Sequence, residues 1–251
     1  IVALLDSTEA IAYQELRMQF VANVSHELRT PLTGIGGLLE ALEDDEIDDE
    51  VRKRFASKAR REVLRLGALV EDILLLSELE SGQGLPIADP SDLSAAAADA
   101  LASLRDAAGE AEITLESDLV PAATVPLTEA MSRQLVANLV GNAIRYAGPG
   151  SRARVVVSLV ASTVLLEVSD DGAGIPENDL PHIFERFYRA DPARSKAAGG
   201  TGLGLSIVKH MVERHGGEVT ASSREGFGTT IRVGLPRARA DDTADAPVAA
   251  V

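Results

Sequence analysis

The sequence contains neither cysteine nor tryptophan, and aromatic residues make up only 3% of its 251 residues. The absence of cysteine excludes disulfides and thiolate metal sites, which suits a reducing compartment. The shortage of aromatics leaves no stacking platform for nucleic acid bases. A net charge of -15 repels phosphate backbones and anionic lipids, so neither nucleic acid nor a membrane surface is an expected partner.

Long hydrophobic runs are also absent, because no stretch of eighteen apolar residues occurs in the chain. The opening IVALL is too short to cross a bilayer or to act as a signal peptide. The hydrophobic share of 45% is ample for a buried core, which predicts a soluble globular protein. Since the chain begins in mid-pattern without a methionine, we expect it to be a fragment of something longer.

The first part of the chain predicts two helices. Apolar residues recur at steps of three and four from about residue 8 to 43, and again from 51 to about 80. The acidic stretch EDDEIDDE, residues 43–50, separates them and predicts the turn of a helical hairpin. Two such helices each leave an apolar stripe uncovered, so a homodimer forming a four-helix bundle is the expected completion.

The rest of the chain predicts a linker, a mixed α/β domain and a tail. The stretch SGQGLPIADPSD, residues 81–92, is rich in glycine, proline and serine and predicts a linker after the hairpin domain 1–80. The domain at 93–237 combines three predicted helices with five predicted strands. The last residues, 238–251, are small, charged and interrupted by proline, so disorder is expected there.

The stretch NVSHELRTPL, residues 23–32, places a reactive cluster inside the first helix. Helical geometry puts His26 and Thr30 on the outward face, away from the apolar stripe. A neutral imidazole is a competent nucleophile, and the adjacent Glu27 carboxylate can accept its other proton. Pro31 predicts a bend and an unpaired carbonyl beside the cluster. An exposed His–Glu pair is more often an ordinary solvated pair, so the cluster alone decides nothing.

Two strings predict parts of a nucleotide pocket. In NLVGNAIRYA, residues 138–147, Asn138 and Asn142 lie on one helix face, and their amide oxygens suit Mg²⁺ without adding charge beside phosphates. DDGAGIP, residues 170–176, follows a strand, and Asp170 could accept a hydrogen bond from the amino group of a base. Taken alone, each string also fits an ordinary structural role. The first could be a common asparagine pair on a helix, and the second a plain acidic turn.

A third string, GGTGLGLSIVKHMVERHGG at 199–217, opens a helix with glycines, whose backbone N–H groups could cradle a polyphosphate. It lacks the Lys-Ser/Thr ending of a Walker loop and the βαβ context of a dinucleotide fold. The stretch before it carries four cations that predict a lid over phosphates: Arg186, Arg189, Arg194 and Lys196. The other histidines lack metal spacing and are expected to have ordinary packing or surface roles: His182, His210 and His215.

Taken in order, these strings resemble the sensor histidine kinases of two-component signalling, from about residue 14 to 236. SHELRTPL is similar to the phosphoacceptor box of that family, and four further strings are similar to its nucleotide-binding boxes in the family's order: NLVGNA, DDGAGI, FERFYR and GTGLGL. The resemblance implies a dimerisation and phosphotransfer hairpin followed by an α/β sandwich ATP-binding domain, the type shared with gyrase and heat-shock chaperones.

The resemblance also implies roles for single residues. In the first helix, His26 would be phosphorylated, Glu27 would be the general base, and Thr30 would orient water during dephosphorylation of a partner. Asn142 would hold Mg²⁺ with help from Asn138, and Asp170 would bind the adenine amino group. The remaining matched positions would shape the pocket and lid or lie near phosphate and base: Arg145, Tyr146, Gly172, Gly174, Arg186, Arg189, Gly200, Thr201, Gly202, Leu203 and Gly204.

The implied cofactors are ATP and Mg²⁺, and the implied partner is the receiver domain of a response regulator. The resemblance further implies the cytoplasmic portion of a membrane-anchored bacterial protein, with its sensor and anchor upstream. Thr128 stands where the family often has an aspartate at a helix start, and both residues cap helices. Two rivals stay open at this point: a gyrase-like or chaperone-like ATPase, and a dimeric scaffold without enzymatic activity.

Overall fold

The computed structural model describes residues 2–44, 47–80, 89–190 and 200–238. The chain divides into two compact units, Ile1–Leu74 and Leu75–Val251. Most of the predicted linker, the predicted tail beyond residue 238 and the lid cations Arg194 and Lys196 lie outside the described residues.

The first unit consists of the two predicted helices, α1 (Val2–Leu42) and α2 (Asp49–Glu80), the latter extending into the second unit. Asp48 begins α2, since its Oδ1 accepts a hydrogen bond of 2.7 Å from the Glu50 backbone N–H. The Arg52 guanidinium donates to the backbone oxygens of Leu42 at 2.9 Å and Asp44 at 3.1 Å. This side chain therefore satisfies carbonyls that the end of α1 leaves without helical partners, and it fixes the turn of the hairpin.

The hairpin leaves much of its apolar surface exposed in the single chain. Large apolar side chains that stay exposed occur along both helices: Met18, Val21, Leu32, Leu39, Val63, Leu64, Val70 and Leu74. An exposed apolar surface of this extent is typical of an interface, because water contact with it costs free energy.

The second unit contains a short segment of α2 followed by a mixed α/β arrangement. Its helices are α3 (Leu93–Glu110), α4 (Glu129–Tyr146) and α5 (Gly204–Arg214), with a 3₁₀ turn at Leu180–His182. Its strands are β1 (Ser91–Asp92), β2 (Thr114–Leu119), β3 (Thr124–Val125), β4 (Arg152–Val160), β5 (Thr163–Asp170), β6 (Glu218–Arg224) and β7 (Gly228–Pro236).

Five of these strands form one sheet in the order β2-β4-β5-β7-β6. β2 runs parallel to β4, and every other pair in the sheet is antiparallel. Along β5 buried residues alternate with partly exposed ones, so the strand turns one face towards the core. The three helices pack on this sheet and on one another, and the predicted α/β sandwich is confirmed.

Both long helices at the start of this unit have side-chain caps. The Asp92 carboxylate accepts from the backbone N–H groups of Ser94 and Ala95 at the start of α3. Thr128 caps α4, because its Oγ1 accepts from the Met131 backbone N–H at 3.2 Å. The threonine that replaces the aspartate implied by the resemblance therefore still caps the helix.

The structure departs from the predicted domain bounds in two places. Ser91 and Asp92, assigned to the linker from sequence, form β1, which pairs with β3. The last turns of α2 belong to the second unit, where Leu76 and Leu79 are buried and Arg214 Nη1 donates to the Leu79 carbonyl at 2.5 Å. The two-residue strands were not predicted, because a two-residue strand has no period to detect.

Candidate functional site

The Asn138 side chain extends from α4, and the residue is half-buried. Its Oδ1 accepts a long hydrogen bond of 3.4 Å from Gln134 Nε2. Its Nδ2 is buried and has no hydrogen-bond partner within the described part of the chain. A buried amide without a partner costs about 1–3 kcal/mol, so this group is poised to meet a ligand.

One helical turn further along α4, the Asn142 amide oxygen accepts a hydrogen bond of 3.0 Å from Arg145 Nη1. The Arg145 guanidinium also lies 5.9 Å from the centre of the Tyr146 ring. All three side chains are half-buried. The end of α4 thus combines an amide oxygen suited to a hard cation with a guanidinium suited to phosphate.

Asp170 ends β5 and is followed at once by the glycine-containing loop 171–176. Its Oδ1 accepts a hydrogen bond of 3.0 Å from the Gly172 backbone N–H. Burial raises the pKa of the Asp170 carboxyl, and the hydrogen bonds it accepts only partly offset that effect. A half-buried carboxylate at the edge of a pocket is an efficient acceptor for an amino group.

Close packing holds this loop against the end of α4. A Cβ atom at Gly172 would overlap the backbone of Ala147, the residue that follows α4. The neighbouring Asp171 is anchored from the other side, because Arg152 donates to it from its backbone N–H at 2.6 Å and from Nε at 3.0 Å. The hydrogen bond from that backbone N–H lowers the pKa of Asp171. Asp171 is therefore a structural anchor of the loop.

The glycines of the fourth string lie opposite the same helix. A Cβ atom at Gly204 would come 3.4 Å from Asn138 Oδ1, and one at Gly200 would come 3.0 Å from the Tyr146 hydroxyl. α5 begins at Gly204, and no side-chain hydrogen bond caps it among the described residues. The start of α5 thus offers backbone N–H groups beside Asn138, as a phosphate-binding helix end requires.

Backbone contacts and packing stabilise the segment between Gly200 and Gly204. Gly202 has a φ of +75° and accepts a 2.9 Å hydrogen bond from the Phe187 backbone N–H, which leaves no room for a side chain. The Leu203 side chain is fully buried in the core, and its backbone N–H donates to Thr201 Oγ1 at 3.2 Å. Leu203 therefore fixes this segment through packing.

Of the predicted lid cations, the structure describes only the two arginines Arg186 and Arg189. Arg186 Nη2 lies 2.5 Å from Glu80 Oε1, both within the second compact unit. Arg189 lies at the edge of a described range and is half-buried. Contact of either arginine with phosphate stays a prediction.

In the first unit, His26 and Thr30 are exposed on α1, as predicted, and Glu27 between them is half-buried. Thr30 Oγ1 donates a hydrogen bond of 3.2 Å to the His26 carbonyl. α1 continues through Pro31 as far as Leu42, so the proline does not end the helix. The imidazole is therefore accessible to a reacting group.

Comparison with known proteins agrees with this arrangement. Residues 16–82 match the family described as His Kinase A (phospho-acceptor) domain, and residues 128–239 match the Histidine kinase-, DNA gyrase B-, and HSP90-like ATPase family. The sensor-like histidine kinase SenX3 of Mycolicibacterium smegmatis is 36% identical over 231 residues, which cover 92% of this chain and 60% of that protein. The chain belongs to the sensor histidine kinases.

Two solved structures share the fold. The histidine kinase AdeS of Acinetobacter baumannii superposes with a TM-score of 0.66 at 26% identity, over 85% of this chain and 98% of that one. Full-length ShkA in complex with AMPPNP gives a TM-score of 0.65 at 27% identity, over 88% of this chain and 46% of that one. The chain thus spans about 60% or less of the length of SenX3 and of ShkA.

The remaining histidines make local contacts, as expected. His182 Nδ1 lies 2.6 Å from Glu185 Oε1, and the Nδ1 atoms of His210 and His215 contact the backbone oxygens of Ser206 and Met211. Across the described ranges, no three histidine or acidic residues are grouped to hold a metal ion. The described helices also include none that is long and apolar enough to cross a membrane.

Sequence reasoning predicted the strands β6 and β7 but missed their contact with Asp170 and the loop that follows it. Gly228, with a φ of +100°, lies so close to Asp170 that a Cβ atom would overlap the Asp170 carbonyl oxygen. Gly226 donates from its backbone N–H to the Ala173 carbonyl at 2.8 Å. The only sequence signal was the pair of glycines in GFG, residues 226–228, which by itself predicts no more than a turn.

Proposed function

We propose that this chain binds ATP in its second unit, becomes phosphorylated on His26 and passes the phosphoryl group to an aspartate of a response regulator. The observation that carries this proposal is the exposed His26 beside Glu27, in a chain whose separate pocket collects the nucleotide boxes of the family around α4. A gyrase-like ATPase would have no use for an imidazole displayed in this way.

The chemistry at His26 follows from its position next to a carboxylate. The unprotonated ring nitrogen attacks the terminal phosphorus of ATP, the new P–N bond forms, and the P–O bond to the leaving ADP breaks. Glu27 accepts the proton from the other ring nitrogen, so the phosphorylated ring does not remain a cation. An aspartate of the receiver then attacks the phosphorus, and the P–N bond breaks as the acyl phosphate forms.

Different residues of the pocket contact different parts of the nucleotide. Asp170 accepts from the adenine amino group. The Asn138 amide, which has no hydrogen-bond partner among the described residues, donates to an oxygen of the phosphates. Arg145 and the N–H groups at the start of α5 offset phosphate charge. The amide oxygens fit Mg²⁺, with Asn142 as its ligand and Asn138 assisting. Bound there, Mg²⁺ would neutralise charge on the transferring phosphoryl group.

The decisive experiment is incubation with γ-labelled ATP, followed by tests of label stability in acid and base. The expected result is acid-labile, base-stable label on the wild-type chain and none on His26→Gln, which should still bind ATP. Release of phosphate without labelling would favour the plain ATPase, and neither outcome would favour a scaffold. Label persisting on His26→Gln would place the acceptor elsewhere.

Dephosphorylation of the response regulator is a further part of the proposal, with Thr30 orienting the attacking water. Thr30 is exposed on the same part of α1 as His26, and its hydroxyl reaches the His26 carbonyl. Replacing Thr30 with alanine should leave autophosphorylation within about twofold and slow loss of phosphate from the regulator by roughly tenfold or more. Equal loss of both activities, measured with the labelled regulator, would contradict this role.

The same proposal includes a homodimer, joined through the exposed apolar side chains of the hairpin, and a cytoplasmic location with an upstream membrane anchor. Fractionation of cells that express the full-length protein tests the location. Recovery of that protein in the soluble fraction would contradict the anchor.

A further inference from the structure

The Ser223 hydroxyl, at the end of β6, connects two segments that surround Asp170. It accepts a hydrogen bond of 2.8 Å from the Ile175 backbone N–H, at the far end of the loop that Asp170 begins. It lies 2.8 Å from the Gly228 carbonyl oxygen and 2.9 Å from Thr229 Oγ1, both on β7. One small side chain thus contacts the loop and the strand that flank the carboxylate.

Thr229 links this hydroxyl to Asp170. The two residues are paired across β5 and β7, and the Thr229 backbone N–H donates to the Asp170 carboxylate. The Gly172 backbone N–H donates to the same carboxylate at 3.0 Å. Both of these donors therefore belong to segments that Ser223 contacts. Thr229 is part of β7, and Gly172 is part of the loop that Ser223 contacts at Ile175.

Close backbone contacts allow these segments little independent movement. Gly174 has a φ of +70°, and a Cβ atom there would overlap the Arg224 carbonyl oxygen. Gly226 donates to the Ala173 carbonyl at 2.8 Å, which joins the hairpin turn to the middle of the loop. A side-chain hydroxyl inserted between such closely packed backbones fixes their register, because each hydrogen bond has a narrow range of geometry.

We propose that Ser223 is a positioning residue for adenine recognition: by tying Ile175 to β7, its hydroxyl holds the Asp170 carboxylate where it meets the amino group of the base. The inference rests on the proposed function, since it assumes that Asp170 binds that amino group. Ser223 itself touches no nucleotide. Its effect is therefore specific to the amino group and does not extend to the phosphates, which the α4 and α5 residues contact.

The test compares binding of ATP with binding of purine riboside 5′-triphosphate, which lacks only the 6-amino group. Affinities are measured by calorimetry on the whole chain, without turnover. The wild type should prefer ATP by about tenfold or more, the usual contribution of a hydrogen bond to a charged acceptor. Ser223→Ala should reduce that preference severalfold by weakening ATP binding, with little change for the analogue.

Four further variants sharpen the comparison. Ser223→Thr keeps the hydroxyl and should keep the preference for ATP over the analogue. Asp170→Asn should abolish that preference. Adding Ser223→Ala to Asp170→Asn should then change the preference no further. Ser222→Ala removes an exposed neighbouring hydroxyl and should behave as the wild type. Should Ser223→Ala fail to fold, Ser223→Cys offers nearly the same volume with a weak donor and acceptor and replaces it in every comparison.

Equal weakening of both nucleotides by Ser223→Ala, or no change in either, would overturn the inference, because Ser223 would then be a general structural residue or irrelevant. If the wild type prefers ATP but Ser223→Ala gives either of these two results, the proposed function remains intact and only the inference about Ser223 fails. Failure of the wild type to bind either nucleotide would overturn the proposed function and this inference with it.

Discussion

In the proposed function, the single side chain of Asp170 trades stability for binding. Burial raises the pKa of its carboxyl, so the folded chain keeps the proton at pH values where the unfolded chain has released it. The contribution of Asp170 to the free energy of unfolding therefore falls as pH rises through an interval that begins near the ordinary value of about 4. The carboxylate costs stability at neutral pH, and a bound amino group would offset that cost.

Replacing Asp170 with asparagine should remove this penalty. At pH 7 the variant is expected to melt at a higher temperature than the wild type, and the difference should vanish near pH 4 and below, where both side chains are neutral. ATP affinity should fall by about tenfold or more, because the acceptor is no longer charged. Melting curves across pH and binding calorimetry check both effects, and a lower melting temperature at pH 7 would contradict the argument.

Predictability from sequence also differed among residues. Asn138, Asn142, Asp170 and the pocket glycines could be found because they occur in compact strings, where helical spacing or repeated glycine limits the possible structures. Ser223 could not be found in this way, because its partners are a loop 48 residues away in sequence and a neighbouring strand. A serine acquires such a role only when the tertiary structure brings its partners together.

At the scale of elements, α4 is central to the proposed pocket, since the start of α5 packs against it and the loop after β5 packs against Ala147 at its end. The long helices and strands were predicted because their apolar residues repeat with a clear period over many positions. β1, β3 and the 3₁₀ turn escaped prediction, because each spans only two or three residues. The loop–helix contact was likewise hidden, since it involves backbone atoms of Gly172 and Ala147 and no distinctive side chain.

This packing can be tested with a pair of glycine substitutions. Gly172→Ala places a methyl group in the backbone of Ala147, so it should lower the free energy of unfolding by about 1–3 kcal/mol and weaken ATP binding as the loop moves off α4. Gly141→Ala, in the interior of α4, meets no atom within 4 Å and should raise that free energy by up to about 1 kcal/mol.

Denaturant unfolding of both variants checks this prediction, with nucleotide affinity measured in parallel. If Gly172→Ala were as stable as the wild type, the loop would have room to yield, and the close approach to α4 would not constrain the pocket.

At the scale of the whole molecule, the hairpin exposes apolar side chains on both helices, including Leu32 and Leu39, two helical turns apart on α1. Leu39→Glu should introduce a charge into the proposed dimer interface and shift the chain to a monomer at micromolar concentration. Light scattering measures the change directly. Glu40→Gln, which alters the neighbouring exposed position, is the matched control and should remain a dimer. A dimeric Leu39→Glu variant would place the interface elsewhere.

The segment Leu75–Glu80 also affects how this protein can be divided. Its side chains Leu76 and Leu79 are buried, and Arg214, in the same unit, donates a hydrogen bond to the Leu79 carbonyl. A truncated chain that starts at residue 93 would lose both leucines and the hydrogen bond from Arg214, so we expect it to be less stable. A truncated chain that starts one or two turns before Leu75 would keep both leucines and the Arg214 hydrogen bond. It should remain in solution as an independently folded nucleotide-binding fragment.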